Sequence, residues 1–262
     1  MREKIAIFLL LVVVGCSRNP TLRNEVKKGI ERSSSAGITA FRRQEYEAAR
    51  TFFEEALKQS YQLYLPSEMV KQYANLAEVS LRLNQEEMAD NYLREGEKVA
   101  SRENIRSFDL LLVRARYFQR RGDRQMAKQS YETMLLYART KIEKVLGRIH
   151  YADFYLEEGN LSEARRVLEG AGFSLWFFSD YDVLGLYHYY LGLVAKGEKN
   201  YEKALQAFQK ALAYDQKAEN LEGIRKDLSQ LAEVYRLKGD EPKAVYYEEL
   251  LRFSLDKKEV SR

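Results

Sequence analysis

Small and apolar positions recur along this chain with a helical spacing, and the pattern repeats six times. Six segments align on one alanine: Ala49 in YEAARTFFEEAL, Ala89 in EEMADNYLREGE, Ala127 in RQMAKQSYETML, Ala164 in LSEARRVLEGAG, Ala204 in YEKALQAFQKAL and Ala244 in EPKAVYYEELLR. Their spacings are 40, 38, 37, 40 and 40 residues. Four and seven places beyond the alanine the apolar stripe continues as Phe53/Ala56, Tyr131/Met134, Leu168/Ala171 and Phe208/Ala211, one face of an α-helix. Twelve places before each alanine stands another small residue: Gly37, Ala77, Ala115, Ala152, Gly192 and Ala232. Paired small residues let two helix backbones approach closely. Asn84, Gly122, Gly159 and Gly239, each five places before its alanine, mark the turn between the two helices. The pattern predicts six hairpins, each a helix A followed by a helix B.

These positions resemble the tetratricopeptide repeat (TPR), with L-G-x-x-Y on helix A and A-x-x-x-F-x-x-A on helix B. The fifth repeat carries Leu191-Gly192, Tyr201, Ala204, Phe208 and Ala211, and the sixth carries Leu231-Ala232 and Tyr235. The period of that family is about 34 residues, and the proline that closes its helix B is missing here. The added residues lengthen helix B or are shared between the two helices. The resemblance implies an all-α fold, a right-handed α-solenoid of about six hairpins and twelve helices, with helix A lining the concave side. It places Asn75, Glu78, Arg82, Arg116, Gln119, Arg120, His150, Asp153, Tyr189, Tyr190 and Leu193 on the groove wall. The lysine and asparagine set by which some members clamp a peptide C-terminus does not recur. The matching stations hold Ser34, Ala74, Leu112, Ile149, Tyr189 and Ser229. Arg82, Arg116 and Arg120 form a candidate basic patch for an acidic segment, or are scattered solvated arginines.

The start of the chain reads differently. Met1, Arg2, Glu3 and Lys4 are net positive, and Ile5 to Gly15 follow without a charge. That apolar run is too short to span a bilayer, which takes about 20 residues, and fits a secretory signal. Val13-Val14-Gly15-Cys16 resembles the bacterial lipobox, and Cys16 is the sole cysteine. The resemblance implies cleavage before Cys16, a diacylglyceryl thioether on its sulfur, and acylation of the new N-terminus with palmitate-type chains. The other reading is an ordinary signal or anchor helix with an incidental cysteine. Ser17, standing where an inner-membrane retention signal would be Asp, leads to an expected outer-membrane anchor facing the periplasm. The expected layout is a signal peptide over 1–15, a lipid-anchored tether over 16–32, the solenoid over 33–256 and a polar tail over 257–262.

Composition narrows the function. Lys and Arg number 43 against 39 Asp and Glu, interleaved along the chain, so no basic face for nucleic acid stands out. A single cysteine allows no internal disulfide, and three prolines favour helix nearly throughout. No HExxH, GxSxG, CxxC or phosphate-loop pattern occurs. His150 and His188 are the only histidines, separated by 38 residues, and are read as neighbouring stations on successive A helices. No catalytic residue, cofactor or metal site is therefore assigned. The stretch from Phe173 to Tyr190 is unusually aromatic, eight of 18 residues. Gly170 and Gly172 are expected to end a B helix and Ser179 or Asp180 to cap the next. Leu175, Trp176, Phe177 and Phe178 then fall in the connection as a candidate patch, for binding or oligomer contact if exposed and as filling if buried. The expected function is an envelope scaffold or assembly cofactor that binds a protein or peptide segment. Lipobox TPR proteins of this layout include pilus pilotins, outer-membrane assembly subunits and adaptors for cell-wall hydrolases. The alternative is a carrier of a small or hydrophobic ligand associated with a transport system.

Overall fold

The computed structural model describes residues 20–175 and 179–255, all in helices and short connections. In chain order the helices are α1 (Pro20–Arg42), α2 (Tyr46–Gln62), α3 (Pro66–Arg82), α4 (Glu86–Arg102), α5 (Phe108–Arg120) and α6 (Arg124–Tyr137). They continue as α7 (Lys141–Glu157), α8 (Leu161–Leu175), α9 (Tyr181–Gly197), α10 (Tyr201–Lys217), α11 (Leu221–Leu237) and α12 (Glu241–Leu255). They pack as six consecutive hairpins, and A helices α3, α5, α7, α9 and α11 also touch one another in succession. The architecture is a TPR-type α-solenoid.

All six alignment alanines on the B helices are fully buried. Two A helices substitute glycine for alanine opposite them, and the reason is local. An added Cβ at Gly37 would lie 2.5 Å from the Phe53 ring, and one at Gly192 would lie 2.5 Å from Phe208. Phenylalanine on helix B thus takes the space that alanine would fill on helix A. The extra length of the repeat is shared: α3, α4, α9 and α10 each have 17 residues.

Each A–B turn is built alike. The residue five places before the alanine is left-handed in all six: Gln44, Asn84, Gly122, Gly159, Lys199 and Gly239. The next amide closes a 6→1 hydrogen bond onto the preceding helix, as in Gln85 N to Ser80 O at 2.8 Å and Asn200 N to Ala195 O at 2.9 Å. That same residue begins the following helix, and Asp123, Asn160, Asn200 and Asp240 also accept a backbone N–H through their side chains. The six A–B turns therefore share one backbone conformation, although the helices they join differ in length.

Two boundaries differ from the sequence expectation, and the cap of α9 falls where expected. The expected tether over 16–32 is largely helix, because α1 starts at Pro20 and already buries Ile30 and Ser34; proline is well suited to a first helical turn. Gly170 and Gly172 do not end α8, which runs through both to Leu175. They are close-approach positions instead: a Cβ at Gly170 would lie 3.0 Å from Arg148 Nε, and one at Gly172 would lie 3.3 Å from the Tyr187 hydroxyl. Asp180 caps α9 through Val183 N, 3.2 Å away. Residues 1–19, 176–178 and 256–262, with Cys16, Trp176, Phe177, Phe178 and the tail, lie outside the described residues.

Candidate interaction groove

The A helices line a concave surface with two adjoining cavities. The first, about 180 Å³, lies between α3, α5 and α7 and is walled by Glu78, Leu81, Arg82, Arg116, Gln119, Arg120, Asp153 and Glu157. The second, about 370 Å³, lies between α7, α9 and α11 and is walled by Asp153, Tyr189, Tyr190, Leu193, Asp215 and Glu222 among others. Asp153 belongs to both, so the two form one continuous groove. Nine of the eleven residues placed on the groove by sequence come together here. Asn75 and His150 are not among the residues lining these cavities. Asn75 donates to Gln72 Oε1 at 3.2 Å, and the buried Gln72 in turn donates to Ser34 Oγ at 2.8 Å, tying α3 to α1.

The three arginines are not equivalent. Arg82 and Arg116 share one carboxylate, Glu78, at 2.9 and 3.0 Å. The other Glu78 oxygen is buried and unpartnered among the described residues. Arg120 donates to the Leu81 carbonyl and, at 2.7 Å, to Asn84 Oδ1, closing the C-terminal end of α3. It is a helix-end brace, whereas Arg82 and Arg116 meet on Glu78, with Asp153 and Glu157 on the same wall. Gln119 accepts from the Tyr131 hydroxyl at 2.6 Å and links the groove wall to the core.

In the larger cavity Tyr190 donates to Asp153, whose carboxyl is held above the usual carboxylate range first by burial and then by Glu157. Tyr189 meets Tyr190 edge to face at 5.6 Å and packs on Phe208 at 5.8 Å. Sequence reasoning missed Asp215, Glu222, Asp227 and Lys226. Asp215 is on a B helix, outside the register that normally reaches the groove. It arrives there because Gly185 and Gly223 have no side chain: a Cβ on either would overlap its carboxylate. Two glycines inside helices with no turn to make were the available signal. Asp227 is fully buried against Asp215, and its carboxyl is pushed up to about 9 by burial and by that neighbour.

The histidines are not neighbouring stations. The spacing from Ala152 to Gly192 is 40 residues, so a separation of 38 shifts the register by two and turns the side chains to different faces. His150 sits near Arg116 and Arg82 and is lowered to about 3, chiefly by burial. His188 stacks on Tyr214 at 5.5 Å beside α10 and is lowered to about 4 by burial and Lys210. Both are neutral at physiological pH. Among the described residues no group of three His, Cys, Asp or Glu is placed to hold a metal ion. Leu175, from the aromatic stretch, packs half-buried against the central core.

Comparison with known proteins agrees with this geometry. Residues 185–218, the fifth hairpin, match the tetratricopeptide repeat. No curated protein sequence matches the chain. Among solved structures it is similar to BtubC (BKLC) from P. vanneervenii, at 16% identity over 87% of this chain and 90% of that one, TM-score 0.63. It is also similar to a Rap protein complexed with competence and sporulation factor, at 13% identity over 89% and 78%, TM-score 0.67. A third is PilW, a type IV pilus biogenesis factor, at 15% identity over 88% and 95%, TM-score 0.61. Such identities speak to fold. The fifth hairpin thus carries a tetratricopeptide repeat, and the described residues share the α-solenoid fold of these structures.

Proposed function

We propose that this protein is a lipid-anchored scaffold of the bacterial envelope that binds an extended segment of a partner protein in its concave groove, without chemistry of its own. The observation that carries the reading is the continuous groove across α3, α5, α7, α9 and α11, walled by charged and aromatic side chains. Solenoids use such surfaces for extended partners. Two similar folds point the same way by name, one complexed with competence and sporulation factor and one a type IV pilus biogenesis factor. The cavity at Tyr190 mixes leucine and tyrosine side chains with Asp153, Asp215, Glu222 and Lys226, which fits a peptide segment better than a wholly apolar ligand. The lipobox ending at Cys16 supports the anchor and, with Ser17 after it, an outer-membrane address. No helix among the described residues is long and apolar enough to cross a membrane.

Affinity purification from detergent-solubilised membranes should recover an envelope protein in stoichiometric amount. Recovery of no protein, with a bound small molecule in native mass spectrometry, would replace the scaffold by the carrier. Cys16→Ala should leave the protein unprocessed or release it from the membrane. Unchanged size and fractionation would remove the anchor from the proposal.

A further inference from the structure

Helix α12 turns an apolar stripe to solvent. Tyr246, Leu250 and Phe253 follow one another at i, i+4 and i+7 and are 56%, 36% and 66% exposed. They stand two, six and nine places after the buried Ala244. The same stations hold Thr51, Glu55 and Lys58 on α2, Asn91, Glu95 and Lys98 on α4, and Gln206, Lys210 and Ala213 on α10, all of them exposed. Each of those three helices has a following hairpin packed against it. The stations therefore face away from the stacking direction, and a further hairpin would not cover the stripe. Surface that is polar or small in the other repeats and aromatic here marks a contact surface. Its flank carries charge without a partner. Arg236 holds Glu241 and Glu248, and Asp240 holds Lys243, but neither Glu249 nor Arg252 makes an ion pair among the described residues. Arg252 rests on the ring of its own Phe253 at 5.5 Å. One symmetry operation satisfies both features. In an antiparallel pair of α12 helices with the dyad between Glu249 and Leu250, Tyr246 of each copy lies opposite Phe253 of the other. Arg252 of each copy then falls within one turn of Glu249 of the other, along the flank the two helices share. An anionic bilayer fits less well, since Glu241, Glu248 and Glu249 outnumber Lys243 and Arg252 on this helix.

We propose that α12 is a self-association surface: two copies of this chain pair antiparallel through Tyr246, Leu250 and Phe253, with Glu249 of each bonded to Arg252 of the other. One helix face falls short of the about 800 Å² per partner that a standard interface buries, so the dimer is weak, with a dissociation constant of about 1–100 μM. The groove is built mainly on the A helices, so pairing through this B helix leaves it open in both copies.

The test uses the full chain in detergent, followed by sedimentation velocity across that concentration range. The wild type should pass from monomer to dimer. Glu249→Arg and Arg252→Glu should each weaken self-association about tenfold or more. An equimolar mixture of the two variants should restore it, because each supplies the charge that the other lacks. Both side chains are exposed, so circular dichroism should show an unchanged fold. Phe253→Ser should leave a monomer. A photoreactive benzoylphenylalanine in place of Tyr246 should cross-link to the neighbourhood of Phe253 in a second copy. A wild type that stays monomeric throughout the range, or a mixture that associates no better than its components, would overturn the proposal. So would capture by the probe of lipid, or of residues 256–262 within the same chain, in place of a second copy.

Discussion

The buried Asp215–Asp227 pair makes stability depend on pH in a direction opposite to that of most paired carboxylates. An aspartic acid in the unfolded chain loses its proton near pH ~3.9. Folded, the pair keeps one proton, held mainly by Asp227, whose carboxyl is pushed up to about 9 by burial and by Asp215. The retained proton is the only donor available to join the two carboxyls, because neither Asp227 oxygen meets another donor among the described residues. Other groups felt by the pair are Asp182, Asn220 and Lys226, and none replaces that proton. Between the two values the folded state binds the extra proton, so stability falls as pH rises, by about 1.4 kcal/mol per pH unit. Asp227→Asn keeps a donor for Asp215 and removes the titration. Urea unfolding midpoints, measured at intervals from pH 6 to pH 8.5, should decline for the wild type relative to the variant by about 1.4 kcal/mol per unit. The variant should be the more stable at the alkaline end. Parallel curves, or a variant destabilised at every pH, would refute the shared proton and leave two charged carboxylates to be explained otherwise.

Two further perturbations follow from the packing and the turns. Gly192→Ala places a methyl 2.5 Å from the fully buried Phe208 ring; overpacking of about 1–3 kcal/mol should exceed the helix-propensity gain of about 1 kcal/mol. Thermal unfolding should show a lowered Tm, and Phe208→Leu in the same chain should recover part of the loss; an unchanged Tm would mean that the hairpin yields at no cost. Lys199→Gly, at φ +60, should stabilise by up to about 1 kcal/mol because a left-handed lysine is strained. Asn84→Gly at φ +57 should gain less, since asparagine tolerates that region. Equal effects at the two turns would show that backbone strain does not set the difference.

Much of this fold was written in small residues. Alanine or glycine at paired stations marks where helix axes come closest, and that requirement is strict enough to survive in every repeat. The turns were half legible. Gly122, Gly159, Gly239 and Asn84 announce a left-handed residue, but Gln44 and Lys199 adopt the same conformation with no chemical sign of it, because the Schellman closure imposes it. Gly170 and Gly172 misled in the other direction: within a helix, glycine marked the approach of Arg148 and Tyr187 rather than an end. The groove wall was legible where it comes from A helices, whose register is fixed by the repeat. Asp215 was not, since its place depends on two glycines elsewhere that clear its path. The histidines show how sensitive such inference is to register, for a two-residue slip moves a side chain to another face of its helix.

The coil also curls far enough for its beginning to approach its end. Phe41, Arg42 and Gln44 from the first turn and Ala218, Glu219 and Asn220 near the last hairpins border one cavity of about 610 Å³. A cavity bordered by both ends of the coil suits a thin strand of polypeptide better than a bulky folded domain. A segment held there as proposed would leave by sliding lengthwise or when the coil opens. Residence time then becomes a mechanical property of the solenoid, set by how stiffly the hairpins resist uncoiling as much as by the contacts within.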